Sequence, residues 1–257
     1  MAGIAEFSLE GQVVVVTGAG KGIGRGIALD AARSGATVVG CSRTQSDLDS
    51  LLAEIEPLGT PSGSLVTDLS TLDGIKDLYD FTQKKFSRID AVVNNAGVNR
   101  LRDAIDYSES EVDALFALNL KTVYWSSVFA ARSMIDSGIA GSIVNVTSQA
   151  AVAAAPGRAP YSAAKAGVNH LCRSLAAEWA PYGIRVNALA PTVTATPLGI
   201  RAMDERPELA AEVKKRAVLR GRAATVEEIS RPAIFLLSPA ASLITGQTLV
   251  VDGGWTL

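Results

Sequence analysis

Tyr161 and Lys165 stand four residues apart in Pro160-Tyr161-Ser162-Ala163-Ala164-Lys165, and Ser148 precedes the tyrosine by thirteen residues. Residues four apart on a helix share a face, so this spacing holds a phenol and an ammonium side by side. An isolated phenol, with a pKa of about 10, is a poor base at neutral pH. Bringing it down by about 3 pH units takes roughly 4 kcal/mol. A lysine charge ~4 Å away at an effective dielectric of ~20 supplies about that much. The spacing therefore predicts a tyrosine that exchanges protons near neutral pH, the condition for general acid–base work. Taken alone, it equally suits a tyrosine and a lysine on an ordinary helix. What lies upstream decides between the two.

Upstream, Val13-Val14-Val15-Val16 leads into Thr17-Gly18-Ala19-Gly20-Lys21-Gly22-Ile23-Gly24-Arg25-Gly26. Four valines read as a strand buried on both faces. Ile23, Ile27, Ala28 and Ala31 continue as an amphipathic helix. Strand, glycine turn and helix N-terminus together form a diphosphate site, where glycines let the backbone approach the phosphates and the helix offers free amides. The pattern is Gly18-x-x-x-Gly22-x-Gly24, not the commoner G-x-G-x-x-G. With 23 glycines in 257 residues, three at fixed spacing mean little alone, so the strand and helix around them carry the reading.

An acid about 20 residues past the glycines would bind the ribose 2′-hydroxyl of NAD. The second strand-like run ends instead in Ser42-Arg43-Thr44, and the first acid beyond it is Asp47. An arginine can pair with a 2′-phosphate. Lys21 adds a second positive charge nearby. The expected cofactor is NADP(H); the alternative leaves Arg43 as a solvated surface residue.

With these residues in view, the chain resembles the short-chain dehydrogenase/reductase family from about residue 9 to residue 254. The matching set is Thr17-Gly18-Ala19-Gly20-Lys21-Gly22-Ile23-Gly24, Asp68-Leu69, Asn94-Asn95-Ala96-Gly97, Asn119, Ser148, Tyr161, Lys165 and residues 191–196. The resemblance implies a Tyr161 that donates a proton in carbonyl reduction and accepts one in alcohol oxidation. Lys165 would hold the nicotinamide ribose and depress the tyrosine pKa, and Ser148 would hydrogen-bond the substrate oxygen. Asn119 would interrupt its helix and position a water linking Lys165 to solvent. Asp68 and Leu69 would flank the adenine. Asn95, Ala96 and Gly97 would pack behind the adenosine ribose. Thr194 and Thr196, after Pro191, would meet the carboxamide or diphosphate.

Many members have Gly after that proline, where this chain has Thr192. The variant is similar to the carbonyl reductase and L-xylulose reductase branch, as are Ser42-Arg43-Thr44 with Asp47-Leu48-Asp49, and Val146-Thr147-Ser148-Gln149-Ala150. Residues 152–160 and the stretch after residue 191 look unlike that branch. They would line the substrate pocket.

The elements that must position these residues alternate. Strand-like runs fall at 13–16, 37–41, 64–66, 91–94, 142–146, 185–189 and 247–251, with the clearest helical patterns at 71–86, 110–136, 161–179 and 225–237. This is the pattern of an α/β fold, a doubly wound parallel seven-stranded sheet (Rossmann fold) with ligands at the carboxyl ends of the strands. One domain, residues 1–257, is expected, since 48 % hydrophobic residues run without a composition break. The connection at about 191–225 is long, with a short helical pattern at 209–217. Long connections are often binding loops, and by resemblance this one is the substrate lid; a surface excursion is the alternative.

A net charge of −2 without a basic cluster disfavours a nucleic-acid or anionic-membrane partner. No apolar run reaches the ~18 residues of a membrane span, and residues 1–11 lack a secretory signal's positive region. Two cysteines, Cys41 and Cys172, make neither a disulfide framework nor a metal site, and the expected location is a reducing cytoplasm. His170, the only histidine, falls nine residues after Tyr161 and so on roughly the opposite helix face. Zinc or histidine-based chemistry is disfavoured. Gln149, Arg158 and Leu198 are candidate substrate contacts, though a solvated loop arginine suits Arg158 equally. A homotetramer follows from the resemblance.

The leading expectation is an oxidoreductase that interconverts a ketone and a secondary alcohol, on a small dicarbonyl, ketose or polyol. The second is a 3-oxoacyl-[acyl-carrier-protein] reductase, which needs a basic docking surface. Arg201, Arg206, Lys214, Lys215, Arg216, Arg220 and Arg222 are interleaved with Asp204, Glu205, Glu208 and Glu212, so the charge there is mixed. A non-catalytic NADP(H)-binding sensor or scaffold is a third. It would be expected to have lost Tyr161 or Lys165, and both are present.

Overall fold

The structure, a computed structural model, describes residues 5–257. Of the N-terminal stretch read for a secretory signal, residues 1–4 lie outside the described residues. The strands are β1 (Val13–Thr17), β2 (Thr37–Ser42), β3 (Ser62–Val66), β4 (Ala91–Asn94), β5 (Ser142–Val146), β6 (Arg185–Pro191) and β7 (Thr248–Val251). All pair in parallel in the order β3-β2-β1-β4-β5-β6-β7.

Every residue of β1 is buried because the sheet is covered on both sides. Val14 and Val16 face a core with α1 (Gly22–Arg33), α2 (Gln45–Ile55) and α9 (Val226–Leu237). Val13 and Val15 face another with α3 (Leu72–Phe86), α5 (Thr122–Asp136) and α6 (Ala159–Trp179). That is why the strand reads as four consecutive valines instead of an alternation. No helix among the described residues is long and apolar enough to cross a membrane.

Two departures from the sequence pattern bear on the site. The helical run at 110–136 is α4 (Glu109–Phe116) and α5 joined by a wider π-turn at Ala117–Lys121, with Asn119 buried inside it. The stretch after β6 holds two helices rather than one, α7 (Pro197–Asp204) and α8 (Pro207–Arg216). Pro197 and Gly199 both fall in the first turn of α7. In the fold the proline opens α7, where its missing N–H costs nothing, and Thr196 accepts from the Gly199 amide at 3.0 Å. This excursion rests on a small cluster of Leu209, Val213 and Trp255.

Candidate active site

The strand order reverses at β1 and β4, and a ligand is expected at the carboxyl ends there. A cleft of about 420 Å³ opens at that edge. Its base is the glycine turn. Gly18 and Gly22 have φ of +65° and +58°, which only glycine adopts freely. A methyl on Gly24 would overlap the Gly18 carbonyl oxygen and the Asn95 side-chain amide. The turn is tied to the end of β4: the Asn95 carboxamide donates to the carbonyls of Thr17 (3.0 Å) and Gly18 (3.3 Å). The Thr17 hydroxyl accepts from the Asn95 and Ala96 amides at 2.9 and 3.0 Å. Helix α1 starts at Gly22 without a side-chain cap. Its first amides are left for a ligand.

Tyr161 and Lys165 come from the first turns of α6, and Ser148 lies just past β5. All three line the cleft, as do Gly97 and Asn119. Lys165 is 3 % exposed and donates to the Val146 carbonyl at 2.8 Å. The Asn119 carboxamide donates to the carbonyls of Val98 (2.8 Å) and Leu115 (2.9 Å) and accepts from the Val98 amide (3.2 Å). A methyl on Gly97 would come 2.7 Å from Asn119 Oδ1 and 3.4 Å from Lys165 Nζ, so glycine lets these groups meet.

The electrostatics differ from the expectation that Lys165 depresses the tyrosine pKa. Burial pushes Tyr161 above its usual value; a hydrogen bond from Ser148 and the charge of Arg158 pull the other way without overcoming it. Burial brings Lys165 down to about 8. The cause is shared: both groups lose water that would solvate their charged forms. The lysine also spends a hydrogen bond on a backbone carbonyl.

The profile of the enoyl-(acyl carrier protein) reductase family matches residues 18–256. The chain belongs to the short-chain dehydrogenase/reductase family. It is an NAD(P)-dependent oxidoreductase acting on CH–OH groups. The 2-dehydro-3-deoxy-D-gluconate 5-dehydrogenase of Escherichia coli (strain K12) is 37 % identical over 254 residues, 98 % of each chain. Carbonyl reductase (NADPH) 2 of Sus scrofa is also 37 % identical, over 253 residues, 97 % of this chain and 98 % of that one. A gluconate 5-dehydrogenase from Burkholderia cenocepacia J2315, solved with NADP and tartrate, superposes with a TM-score of 0.92 at 34 % identity and 98 % coverage of both chains. Equal identity to a sugar-acid dehydrogenase and a carbonyl reductase means that overall similarity does not choose the substrate.

For a member of this family, the residues at the base of the cleft fit a dinucleotide: a cradle that a single methyl would fill, uncapped amides at α1, and Ile23, Pro191 and Thr196 along the walls. At the far end, Ser42 closes β2 with Arg43 and Thr44 after it, and Asp68 and Leu69 follow β3. Ser42 and Thr44 close a local turn, with Ser42 Oγ 3.1 Å from the Thr44 amide. Arg43 is exposed, and its charge reaches Asp68. Asp68 lies below the usual carboxylate range, chiefly through hydrogen bonds from Ser70.

Three of the expected cofactor residues have partners within the chain. Lys21 is not a free second cation: its Nζ is paired with Asp47 at 3.1 Å, because α2 brings that acid beside the turn. Thr194 does not reach the cleft; it is 6 % exposed and its hydroxyl turns back to the Thr192 carbonyl at 2.9 Å. Leu69 is buried, with its carbonyl accepting from the Thr122 hydroxyl at 2.8 Å. Leu198, on α7, stands 75 % exposed at the mouth. Gln149 and Arg158 line a smaller adjoining cavity. His170 is on the exposed side of α6. The sequence reading missed Thr17 as the knot between the turn and β4, although it heads the glycine motif. It also missed the Val146 and Val98 backbone groups, which leave no side-chain signal.

Proposed function

We propose that this chain is an NADP(H)-dependent oxidoreductase that interconverts a ketone and a secondary alcohol, acting on a small dicarbonyl, ketose or polyol. The observation that carries the reading is the convergence of Ser148, Tyr161, Lys165 and Asn119 on the cleft that holds the glycine turn. When bound, the cofactor supplies or accepts the hydride. In reduction, the Tyr161 phenol gives its proton to the carbonyl oxygen, and Ser148 donates a second hydrogen bond to the developing alkoxide. In oxidation the Tyr161 phenolate, formed once the phenol has given up its proton, takes the proton from the alcohol oxygen. Burial keeps Tyr161 protonated at neutral pH, which suits the acid role. Lys165 holds the nicotinamide ribose, and Asn119 keeps the Val98 segment against α4.

Arg43 is the residue for the 2′-phosphate. NADP in the Burkholderia structure and NADPH in the name of the Sus scrofa relative support this cofactor. Reduction of the 3-oxo group of an acyl-carrier-protein thioester is less well supported. Arg201, Arg216 and Arg222 are paired with Glu205, Glu212 and Glu228, and the exposed Lys214, Lys215 and Arg220 stand among Asp204, Glu205, Glu208 and Glu212, so the surface offered to an acidic carrier is mixed in charge. The buried free thiols of Cys41 and Cys172 suit a reducing cytoplasm. The groove between Tyr124, Ile135, Leu171 and Trp179 suits pairing with another copy in a homotetramer.

The test is NADPH oxidation with diacetyl, L-xylulose and a short 3-oxoacyl thioester, with NADH and Tyr161→Phe as controls. Turnover should prefer NADPH, and Tyr161→Phe should lower it by about 10²–10⁴ while NADPH affinity is kept. Undiminished turnover in the variant removes Tyr161 from the chemistry. Activity on the thioester alone moves the assignment to acyl reduction.

A further inference from the structure

Arginines shielded from solvent need partners. Five arginines among the described residues are half-buried: Arg25, Arg158, Arg185, Arg206 and Arg216. Three have them. Arg25 donates to the carbonyls of Gly20 and Asp47 and to Glu54, Arg185 to four carbonyls behind the sheet, and Arg216 to Glu212 and the Trp255 carbonyl. The guanidinium groups of Arg158 and Arg206 make no hydrogen bond or ion pair among the described residues. These two line the same cavity, of about 100 Å³, and the charge of Arg158 reaches Tyr161.

A second observation points to the same place. Gln149, 7 % exposed, lines that cavity, and its Oε1 is buried without a hydrogen-bond partner. A carboxamide can be turned end for end, so it offers the cavity either an acceptor or a pair of donors. The remaining charged lining is Arg216, Glu208 and Glu212, and Glu212 is engaged by Arg216 at 3.3 Å. Three cations against two carboxylates leave the cavity one positive charge in excess.

We propose that this cavity receives a carboxylate of the substrate, with Arg158 as its anchor and Gln149 and Arg206 beside it, so that the preferred substrates are small ketones or alcohols that carry an acid group. The inference rests on the oxidoreductase reading above and narrows its substrate class. A guanidinium fork matches a carboxylate bidentately, which a lysine would not. Ala154, Pro156, Val193 and Leu209 are among the apolar residues of the lining, and an apolar wall strengthens such a pair. Burial, and after it the like charge of Arg206, make the Arg158 cation less favourable, with Glu212 acting the other way without overcoming them; a bound anion offsets both. Gln149 directly follows Ser148, and Arg158 precedes Tyr161 by three residues, so the acid group sits a few atoms from the reacting carbon. So small a cavity takes a compact terminal group rather than an acyl chain.

The test compares 5-keto-D-gluconate with its neutral methyl ester, using NADPH and the full-length protein. Wild type should favour the acid by about 30-fold or more in kcat/KM. Arg158→Gln should raise KM for the acid by a similar factor and bring the acid-to-ester ratio of kcat/KM close to one, while the loss of its charge beside Tyr161 acts on kcat for both substrates alike. Arg158→Lys should recover part of the loss. Equal use of acid and ester by wild type overturns the inference, and that arm does not depend on whether a variant folds. So does an Arg158→Gln variant that lowers kcat on acid and ester alike and keeps the wild-type preference between them, the sign of a structural role. Turnover of diacetyl or L-xylulose with neither acid nor ester sinks the acid subsite alone. No NADPH oxidation with any of the four, or turnover that persists in Tyr161→Phe, sinks the oxidoreductase reading beneath it.

Discussion

The wall of the cleft made by the strand ends and the neighbouring wall made by residues 149–158 and 197–219, with α7 and α8, are built from different materials. On the first, polar groups are used up within the chain. Thr17 and Asn95 tie the glycine turn to β4, Asn119 bonds the Val98 segment, and Lys165 holds the Val146 carbonyl. Behind them Asn94 donates to Asn145 at 2.8 Å, Ser126 donates to Asn94, and Tyr79 joins Ser126 at 2.7 Å. On the second wall, Arg158 and Gln149 are left without partners, and Val152, Leu198, Val218 and Leu219 are each more than half exposed. A wall with its bonds satisfied keeps one shape; a wall with few buried contacts can be changed cheaply. The first suits what every substrate shares, a cofactor and a reacting carbonyl. The second suits what differs between substrates.

The harshest way to break the first wall is Gly24→Ala. The added methyl meets the Gly18 carbonyl and the Asn95 amide, and the first of these is backbone that cannot step aside. Overpacking of this kind costs about 1–3 kcal/mol, and here it also spoils the phosphate cradle. Thermal melting should drop and NADPH titration should show no binding. A variant that binds NADPH like wild type would mean that the turn relaxes, and the wall is less fixed than its bonds suggest.

Lys165→Met separates fixity from function. The folded pKa of Lys165, about 8, lies below its unfolded value of 10.5. The unfolded chain therefore binds more protons between these values, and the stability linked to this group rises with pH across that window. Below pH 8 the buried charge costs about 3 kcal/mol, less about 1 for the bond to Val146. The variant should melt higher than wild type at pH 7, converge with it by about pH 10, and lose turnover. A variant that melts lower at pH 7 would show that the hydrogen bond outweighs the buried charge.

The difference between the walls is also one of legibility. The strands and the glycine turn were readable because their signals are local: a valine run covered on both sides, and glycines between it and a helix. The order Ser148, Tyr161, Lys165 was readable for the same reason, as spacing along one strand end and one helix. What escaped depends on contacts distant in sequence. Asp47 reaches Lys21 only once α2 lies beside the turn, Thr194 turns inward through its own backbone geometry, and burial sets the direction of the Tyr161 pKa. Helix α7 escaped because a proline and a glycine can start a helix as well as end one. The partnerless Arg158 and Gln149 carry no sequence signal, since lack of a partner is a property of the whole fold.

The smallest expected effect falls on the second wall. Leu198 lines the mouth of the cleft, yet most of its side chain already faces water, so Leu198→Ala removes little buried surface. Its stability cost should stay within about 0.5 kcal/mol, as for an ordinary surface change. NADPH affinity should hold, because the turn and α1 are untouched. The ratio of kcat/KM between a compact and a bulkier ketone should shift, since the methyl groups removed face the substrate's side of the mouth. A drop in melting stability well beyond that range, with substrate ratios unchanged, would reverse the comparison. Leu198 would then belong to the structure that holds the cleft together rather than to the part that selects what enters it.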